Sequence, residues 1–337
     1  MSIHEYDYHL PPELIAQEPL ERRDASRLLI LDRNTGRMEH RTFIELPSLL
    51  LPGDALVFND TRVLHARLRA SWEETGGKVE LLLLRPRGED RWEAMARPAK
   101  RLKEGERLIL GTGVPIQVCA RLREGTIEVQ LPPEVVDHLD QHGELPLPPY
   151  IRDYHGDPDR YQTVYARSDG SVAAPTAGLH FTPPLLEELC QRGVSQHYIT
   201  LHVGAGTFRP VQTDRIEDHR MHSEAYFVPS DLLGELARVR AEGGRVVAVG
   251  TTSARSLESV ARHPEQAGSW SETDIFIRPG HTWRLVDGLV TNFHLPRSTL
   301  LMLVSALAGR ENVFKAYEEA VRERYRFYSF GDAMVIL

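Results

Sequence analysis

Five or six short β-rich runs stand between residues 63 and 149, and their texture differs from that of the flanking sequence. Glycine-containing turns separate the runs, at 76–77, 105, 111–113 and 125. Short strands at this spacing are typical of a small antiparallel barrel or sandwich. The flanking sequence alternates strand and helix patterns, which is typical of an α/β fold. We therefore expect a discontinuous α/β (α+β) main domain, residues 1–62 and 151–337, interrupted by a small antiparallel β domain at residues 63–150.

The main domain is expected to contain a series of short strands and amphipathic helices. The predicted strands are residues 27–31, 37–41, 55–59, 198–201, 225–228, 245–249, 282–285 and 291–293. The predicted helices are residues 43–50, 184–192, 229–243, 253–262, 299–307 and 311–324, and a further helix signal lies at 7–15. The prolines at 146–149 predict a stiff, extended connector at the end of the insert.

Composition limits the class of protein. The chain has 337 residues, 41% of them apolar and 26% charged, which is typical of a globular protein with two domains. No apolar run approaches the roughly 18–20 residues of a membrane span, so we expect no membrane association. The N-terminus has neither a basic nor an apolar region of a signal peptide, so we expect a cytoplasmic protein. The net charge of −8 argues against non-specific coating of nucleic acid but leaves room for a local basic face.

The cysteines and histidines give no sign of a metal site. Cys119 and Cys190 lie far apart without a CxxC motif, so we expect buried thiols and no disulfide framework. His219 and His222 stand three apart without obvious carboxylate companions, and there is no HExxH motif. We therefore predict no bound metal.

Five stretches of the main domain combine histidines, hydroxyl residues and flexible backbone. They are PTAGLHF from residue 175, LHVGAGTFRPV from 201, VGTTSARSLES from 249, TDIFIRPG from 273 and TNFHLPRST from 291. His180, His202 and His294 each lie among apolar residues. A single histidine in such a place is more often a core residue, but three of them favour at least one general acid or base.

Two of the stretches have the form of an anion site. A predicted strand at 245–249 leads through Thr251, Thr252 and Ser253 into a helix, whose first N–H groups attract a carboxylate or phosphate. The alternative is that Thr252 or Ser253 is only an N-cap. Arg297 precedes the helix at 299–307 in a similar arrangement, and its guanidinium favours an anion.

The glycine loop with Gly204 and Gly206 is not a dinucleotide fingerprint, because Arg209 stands where GxGxxG requires glycine. We interpret it as a turn that lies close to the site. Asp60 and Arg62 follow the buried strand at 55–59, where α/β folds tend to place chemistry. The insert has its most basic window at residues 97–103, which is either an ordinary charged turn or a contact for nucleic acid.

Taken in order, these segments resemble one family closely. The matching text includes FNDTRV, LPLPPYI, RYQTVYA, GSVAAPTAGLHFT, ITLHVGAGTFRPV, VGTTSARSLES, TDIFIRPG, DGLVTNFHLPRSTLLMLVSALAG and YRFYSFGDAM. In these segments the sequence resembles the S-adenosylmethionine:tRNA ribosyltransferase-isomerases of queuosine synthesis. The resemblance covers both ends of the chain and most of the α/β part, whereas the insert matches more loosely.

This resemblance implies that the insert is an antiparallel β-barrel. It also implies transfer of the ribosyl part of S-adenosylmethionine to 7-aminomethyl-7-deazaguanine at the wobble position of tRNA, giving epoxyqueuosine and releasing adenine and methionine. S-adenosylmethionine is then a co-substrate, with no tightly bound cofactor, and the other partner is the anticodon stem-loop. We expect a monomer. The alternatives are an inactive RNA-binding module of the same fold and an S-adenosylmethionine-dependent tRNA methyltransferase.

The reaction that the resemblance implies assigns tasks to the candidate residues. His180 and His294 are expected to do acid/base work, with His202 in reserve and Thr176 beside them. The methionine part or a phosphate is expected near Gly204 and Gly206, held by Thr251, Thr252, Ser253 and Arg297. Either Asp60 or Asp274 is expected to read the flipped base. The residues expected to face the anticodon stem-loop are Arg62, Arg97, Lys100, Arg101 and Lys103.

Overall fold

The computed structural model describes residues 2–122, 125–152, 154–204 and 213–337. The chain forms two compact units. The first consists of Met1–Thr61, Pro149–Ser168 and Ala174–Leu337, and the second of Arg62–Pro148 and Asp169–Ala173. The first unit is a mixed α/β structure and the second is an antiparallel barrel, so the predicted fold class is confirmed.

The described residues form eighteen strands and seven α-helices. The strands are β1 Arg27–Leu31, β2 Met38–Thr42, β3 Ala55–Asn59, β4 Thr61–Val63, β5 Arg67–Trp72, β6 Lys78–Pro86, β7 Arg91–Arg97, β8 Arg107–Leu110, β9 Pro115–Arg121, β10 Ile127–Gln130, β11 Gly143–Glu144, β12 Ser168–Ser171, β13 Ser195–Leu201, β14 Glu224–Phe227, β15 Val246–Val249, β16 Trp270–Thr273, β17 Gly288–Asn292 and β18 Ala333–Ile336. The helices are α1 Pro133–Asp137, α2 Leu139–His142, α3 Pro183–Gln191, α4 Leu232–Ala241, α5 Thr251–Val260, α6 Thr299–Ala308 and α7 Arg310–Arg322. Short 3-10 turns include Phe43–Ser48 and Thr176–His180.

The main unit is built on a nine-stranded sheet in the order β16-β14-β13-β3-β15-β17-β18-β1-β2. The strands β13, β3, β15 and β17 run parallel to one another. Every residue of β3, β15 and β17 is buried, as expected of central strands covered on both faces. Strand β16 is antiparallel to β14, which is antiparallel to β13, so β16 shares the direction of the parallel group. The carboxyl ends of five strands therefore lie at one edge of the sheet.

Alternate residues of the central strands form the core on one face of the sheet. Leu56 and Phe58 of β3 and Val247 of β15 pack in this cluster with Phe43 and Phe181. The ring centroids of Phe181 and Phe58 lie 5.0 Å apart in an edge-to-face arrangement. Phe181 directly follows the turn at Thr176–His180, so its burial fixes that turn against the sheet.

The inserted unit is a closed barrel of six antiparallel strands, because β5 pairs with β8 as well as with β6. The order around the barrel is β5-β6-β7-β10-β9-β8. Along β6 the side chains alternate between buried and half-buried positions, which directs Val79, Leu81 and Leu83 inward. Closure leaves no free edge among these six strands. Of the barrel and the sandwich that the sequence predicts as alternatives, the structure is therefore the barrel.

Two predicted elements of the main unit are wrong, and the helix predicted at 43–50 is a short 3-10 helix at Phe43–Ser48. The signal at 7–15 yields only a 3-10 turn at Pro12–Leu14, since the adjacent prolines remove backbone donors. The predicted strand at 282–285 is irregular, because its backbone is held by a carboxylate instead of a neighbouring strand. Glu258, fully buried on α5, accepts hydrogen bonds from the N–H groups of Arg284, Leu285 and Val286 at 3.0–3.1 Å.

The prediction of buried thiols is also wrong. Cys190 is exposed near the end of α3, and Cys119 is half-buried on β9. Each lies on the solvent-facing side of its element, which a count of cysteines does not reveal. Within the residues described, no helix has the length and apolar character needed to cross a membrane.

Candidate active site

The edge where the five strands end collects most of the predicted site residues. Asp60 follows β3, His202 follows β13, Thr251 follows β15 and Asp274 follows β16. His294 lies two residues beyond β17. Segments that are widely separated in the chain thus meet because their strands are parallel, and such an edge is where open α/β sheets bind ligands.

His180 is buried and both of its ring nitrogens are engaged. Nδ1 lies 2.7 Å from Oγ of Ser26, and Nε2 lies 3.1 Å from the side-chain amide nitrogen of Asn292. The same amide nitrogen donates to the carbonyl of Tyr328 at 3.1 Å, which fixes the orientation of the amide. Nε2 of His180 must therefore accept, and the proton of the neutral ring resides on Nδ1. Burial lowers the pKa of His180 to about 3, with help from the Arg326 and Arg23 charges.

His294 is held in a comparable setting. Its Nε2 lies 2.7 Å from Oγ1 of Thr291, and its backbone N–H donates to the Tyr317 hydroxyl at 3.0 Å. The hydroxyl of Tyr8 donates to its carbonyl at 2.5 Å. Burial lowers the pKa of His294 to about 3, so this ring is neutral at physiological pH.

His202 and Asp60 are fixed by neighbours within the main unit. The imidazole of His202 stacks on Trp270 with ring centroids 4.9 Å apart, and Nδ1 lies 2.8 Å from Oγ1 of Thr61. The buried carboxylate of Asp60 accepts from Oγ1 of Thr200 at 2.7 Å and from Nη2 of Arg167 at 2.9 Å. Both side chains are thus held rigidly where β3 and β13 end.

Helix α5 begins at a glycine and not at a hydroxyl cap. Gly250 has a φ of 89°, a conformation that favours glycine, and it is the N-cap residue. Thr251, Thr252 and Ser253 all lie inside the helix, so the N-cap alternative for Thr252 and Ser253 is wrong. Oγ of Ser253 donates back to the Val249 carbonyl at 2.8 Å. What these residues offer a ligand is mainly the backbone N–H groups of the first turn.

Buried hydroxyl groups gather where α5 meets the turn at Thr176–His180. A Cβ on Gly178 would lie 2.0 Å from the Tyr165 hydroxyl, and one on Gly250 would lie 3.6 Å from Oγ1 of Thr252. Within the described residues, Tyr165 OH and Thr252 Oγ1 are buried without a hydrogen-bond partner. The Thr176 side chain is half-buried at the start of the same turn.

The remaining predicted contacts are spread more widely. Gly204 donates its N–H to the Glu224 carboxylate at 3.0 Å, whereas Gly206 lies outside the described residues. Arg297 is exposed, has a φ of 57° and is hydrogen-bonded to Asp7. Asp274 is exposed at the end of β16.

A small cavity lies beside His180, walled by Ser26, Ser329, Arg23 and Arg160 among others. The same two arginines line a neighbouring open cavity of about 590 Å³. The guanidinium of Arg23 donates to the carbonyls of Arg160 and Leu179, at 3.4 and 3.2 Å. Positive charge therefore borders the His180 cavity. In the described part of the chain, no group of three His, Cys, Asp or Glu side chains is placed to hold a metal ion.

In the barrel unit, the basic window is exposed. Arg97 ends β7, Lys100 and Arg101 belong to a 3-10 turn, and Lys103 follows it. Arg62 is exposed at the start of the unit, 3.9 Å from the carboxylate of Asp169.

Several residues at the edge were missed by sequence reasoning. Asn292 positions His180, Glu224 holds Gly204, and Arg255 of α5 pairs with Glu224. Tyr328 has a φ of 74° and a buried hydroxyl that has no partner among the described residues. The signal was available for Asn292 and Arg255, because both are polar residues in otherwise apolar, buried stretches.

Two comparisons with known proteins show which family the chain belongs to. A family model described as queuosine biosynthesis protein matches residues 3–336. The crystal structure of S-adenosylmethionine tRNA ribosyltransferase from Thermotoga maritima is similar to this chain at 43% sequence identity. That match covers 99% of this chain and 100% of the other, with a TM-score of 0.58.

The two buried histidines predict a loss of stability in mild acid. The pKa values of His180 and His294 are lowered to about 3, whereas unfolded histidine has a pKa of about 6.5. Between pH 6.5 and pH 3 only the unfolded chain protonates these two histidines. Their contribution to the free energy of unfolding is therefore fully present well above pH 6.5 and is lost as the pH falls toward 3. Together the two rings should lower the free energy of unfolding by about 4 kcal/mol between pH 7 and pH 5.

Urea unfolding at both pH values measures this difference. A His294→Gln variant should lose about half of it, and a His155→Gln variant, changed at an exposed position, should keep all of it. An unchanged pH dependence in His294→Gln would contradict the burial of a neutral ring at this position.

Proposed function

Since the chain belongs to the queuosine biosynthesis protein family, we propose that it is the enzyme that transfers and isomerises the ribosyl part of S-adenosylmethionine onto 7-aminomethyl-7-deazaguanine at the tRNA wobble position. Adenine and methionine leave, and epoxyqueuosine remains in the tRNA. The single observation that carries this proposal is the full-length similarity, at 43% identity, to S-adenosylmethionine tRNA ribosyltransferase. The gathering of the motif residues at one sheet edge supports it.

The proposed reaction needs an acid, a base and a dry pocket. The positive sulfonium acidifies the C5′ protons of the ribose, so a base must remove one of them. Adenine leaves more readily when a ring nitrogen is protonated, which requires an acid. The aminomethyl group attacks as a neutral amine, and a low-dielectric environment favours the neutral form.

We assign the acid/base work to His180 and His294, with His202 in reserve. Their low pKa values make both buried rings weak proton acceptors. Substrate binding must therefore replace existing partners, such as Ser26 and Asn292 around His180. Rearrangement of this kind is common, because catalytic hydrogen bonds often tighten only in the substrate complex.

The remaining substrate contacts are proposed as follows. The first-turn N–H groups of α5, at Thr251, Thr252 and Ser253, favour an anionic group through the helix dipole. Thr176, Gly204 and Gly206 are proposed to contact the same part of the substrate. Arg297 is assigned to a phosphate or the methionine carboxylate, and Asp60 or Asp274 to the N–H groups of the flipped base.

The basic window of the barrel is proposed to bind the anticodon stem-loop, together with Arg62. Several other arginines of the barrel form ion pairs with carboxylates. Arg85 lies 3.0 Å from Glu93, and Arg69 lies 2.6 Å from Glu144. Across the residues that are described, no ion pair involves Arg97, Lys100, Arg101 or Lys103. Exposed cations outside ion pairs are suited to phosphate contacts, which set the register of bound RNA. We further propose a cytoplasmic monomer without a tightly bound cofactor.

Release of adenine tests the proposed function. The protein is incubated with S-adenosylmethionine labelled in the adenine ring and with tRNA that carries the deazaguanine. We expect labelled adenine and an equal amount of epoxyqueuosine in the tRNA. A methyltransferase would release S-adenosylhomocysteine, and an RNA-binding module would release neither product, so either result would exclude the proposal.

Replacement of the two histidines tests their assignment. We expect His180→Ala and His294→Ala each to lower kcat/KM for adenine release by about 100-fold or more, the usual contribution of a general acid or base. His155→Ala, at an exposed position, is the matched control. Near-normal turnover in both folded variants would exclude acid/base roles for these residues.

Charge reversal tests the surface proposed for tRNA. A Lys100→Glu/Arg101→Glu variant should raise KM for tRNA and lower the salt dependence of log KM by about 1.5, the loss of roughly two phosphate contacts. A control with the same change of charge is Lys78→Glu/Arg107→Glu, at two exposed positions of the barrel. Equal effects of the two variants would show that overall charge matters and that the basic window is not the contact.

A further inference from the structure

Arg255 is a buried cation whose hydrogen bonds are incomplete. Its side chain is only 7% exposed and forms an ion pair with Glu224, through Nη1. Within the part of the chain that is described, Nε and Nη2 of the same guanidinium are buried and have no hydrogen-bond partner. Most buried polar groups in proteins are paired, so two unpaired donors on one side chain need an explanation.

Folding alone does not explain this arrangement. A buried ion pair is commonly no more stabilising than apolar residues of the same volume, because both charges lose their hydration. The unpaired N–H groups add a further penalty. Apolar side chains such as Leu257 and Val260 are fully buried on the same helix, so the helix itself does not require an arginine at position 255.

The unpaired atoms have the geometry of an anion receptor. Nε–H and one N–H of Nη2 lie on the same edge of the planar guanidinium and point in parallel, which matches the two oxygens of a carboxylate. Glu224 pairs with the opposite nitrogen, Nη1, and so holds the guanidinium in place, while the two buried donors of this edge keep their hydrogen-bonding capacity unused among the described residues. The second oxygen of Glu224 accepts the N–H of Gly204 at 3.0 Å, which ties the arginine to the loop after β13.

The position of Arg255 is consistent with a ligand at the sheet edge. It lies one turn into α5, whose first N–H groups follow Gly250 at the end of β15. Glu224 begins β14 at the same edge, opposite Thr273 of β16. An anion that contacts the Nε/Nη2 edge therefore lies close to the strand ends that carry the proposed site.

We propose that the Nε/Nη2 edge of Arg255 binds the α-carboxylate of S-adenosylmethionine and that Glu224 positions the guanidinium for it. This inference rests on the proposed function, because it places the methionyl part of that co-substrate at the end of β13. Of the two ligands proposed for Arg297, it leaves the phosphate. A carboxylate is favoured over a phosphate of the tRNA backbone, since a donor buried to this degree is reached by a small anion and not by a polymer.

Binding of two ligands in the absence of tRNA tests the proposal. Calorimetry compares S-adenosylmethionine with decarboxylated S-adenosylmethionine, which keeps the sulfonium, ribose and adenine. The wild-type protein should bind the decarboxylated compound about 10- to 100-fold more weakly, the cost of two charge-assisted hydrogen bonds. Arg255→Gln should bind S-adenosylmethionine more weakly by a similar factor and should no longer distinguish the two ligands.

The controls separate a contact from a structural effect. Arg255→Lys keeps the charge but not the two parallel donors, so it should show intermediate discrimination. Arg262→Gln, changed just beyond the carboxyl end of α5, should discriminate as the wild type does. If Arg255→Gln weakened the binding of both ligands by the same factor, the effect of the substitution would be structural, and this result would overturn the proposal.

Further outcomes would contradict the proposal whatever the stability of the variants. Equal affinity of wild-type protein for the two ligands would exclude a carboxylate contact. A rise in KM for tRNA alone in Arg255→Gln would identify a phosphate site instead. Adenine release by the wild-type protein, measured separately, reports on the proposed function, so failure of one proposal is distinguishable from failure of the other.

Discussion

The buried amide of Asn292 connects the parts on which the site depends. It ends β17, and its nitrogen donates both to the Tyr328 carbonyl and to Nε2 of His180. Three distant segments are thereby held at a single point, and the tautomer of His180 is decided. Asn59 has a similar task at the end of β3, where its amide bonds both the N–H and the carbonyl of Leu201 at 2.9 and 3.0 Å. The side-chain amides of Asn292 and Asn59 thus connect neighbouring segments where the backbone hydrogen bonds of the strands end.

Buried polar groups without partners at the same edge of the sheet lower the free energy of unfolding, and the rest of the fold must offset this loss. Among the described residues, Thr252 Oγ1, Tyr165 OH, Tyr328 OH and the Nε/Nη2 edge of Arg255 are buried without partners. Tyr328 also adopts a left-handed backbone conformation that is unfavourable for a residue with a side chain. Proteins tend to break such local rules at functional sites, where a ligand supplies the missing partners. The fully buried strands β3, β15 and β17 supply the apolar packing that sustains these exceptions.

Much of this architecture follows from the sequence, because the signals are local. The buried runs at β1 and β3 predict those strands with their observed bounds, and glycine-separated runs predict an inserted antiparallel barrel or sandwich. The segment at 282–285 could not be predicted, since it depends on a carboxylate of α5 more than twenty residues away. The same holds for the partners of His180. Motifs supply candidate residues, but the hydrogen bonds that set a proton's position form between distant segments.

The electrostatics of the proposed site follow from that positioning. S-adenosylmethionine carries a positive sulfonium, and a charged imidazole beside it would repel the ligand in a medium of low dielectric constant. His180 and His294 avoid this penalty because their pKa values of about 3 keep both rings neutral. The carboxylate of the same molecule requires a positive partner, and the group proposed for it is the guanidinium of Arg255, which pairs with Glu224. Neutral rings and the Arg255 guanidinium at one sheet edge thus match the two ends of a ligand that is positive at its sulfur and negative at its carboxylate.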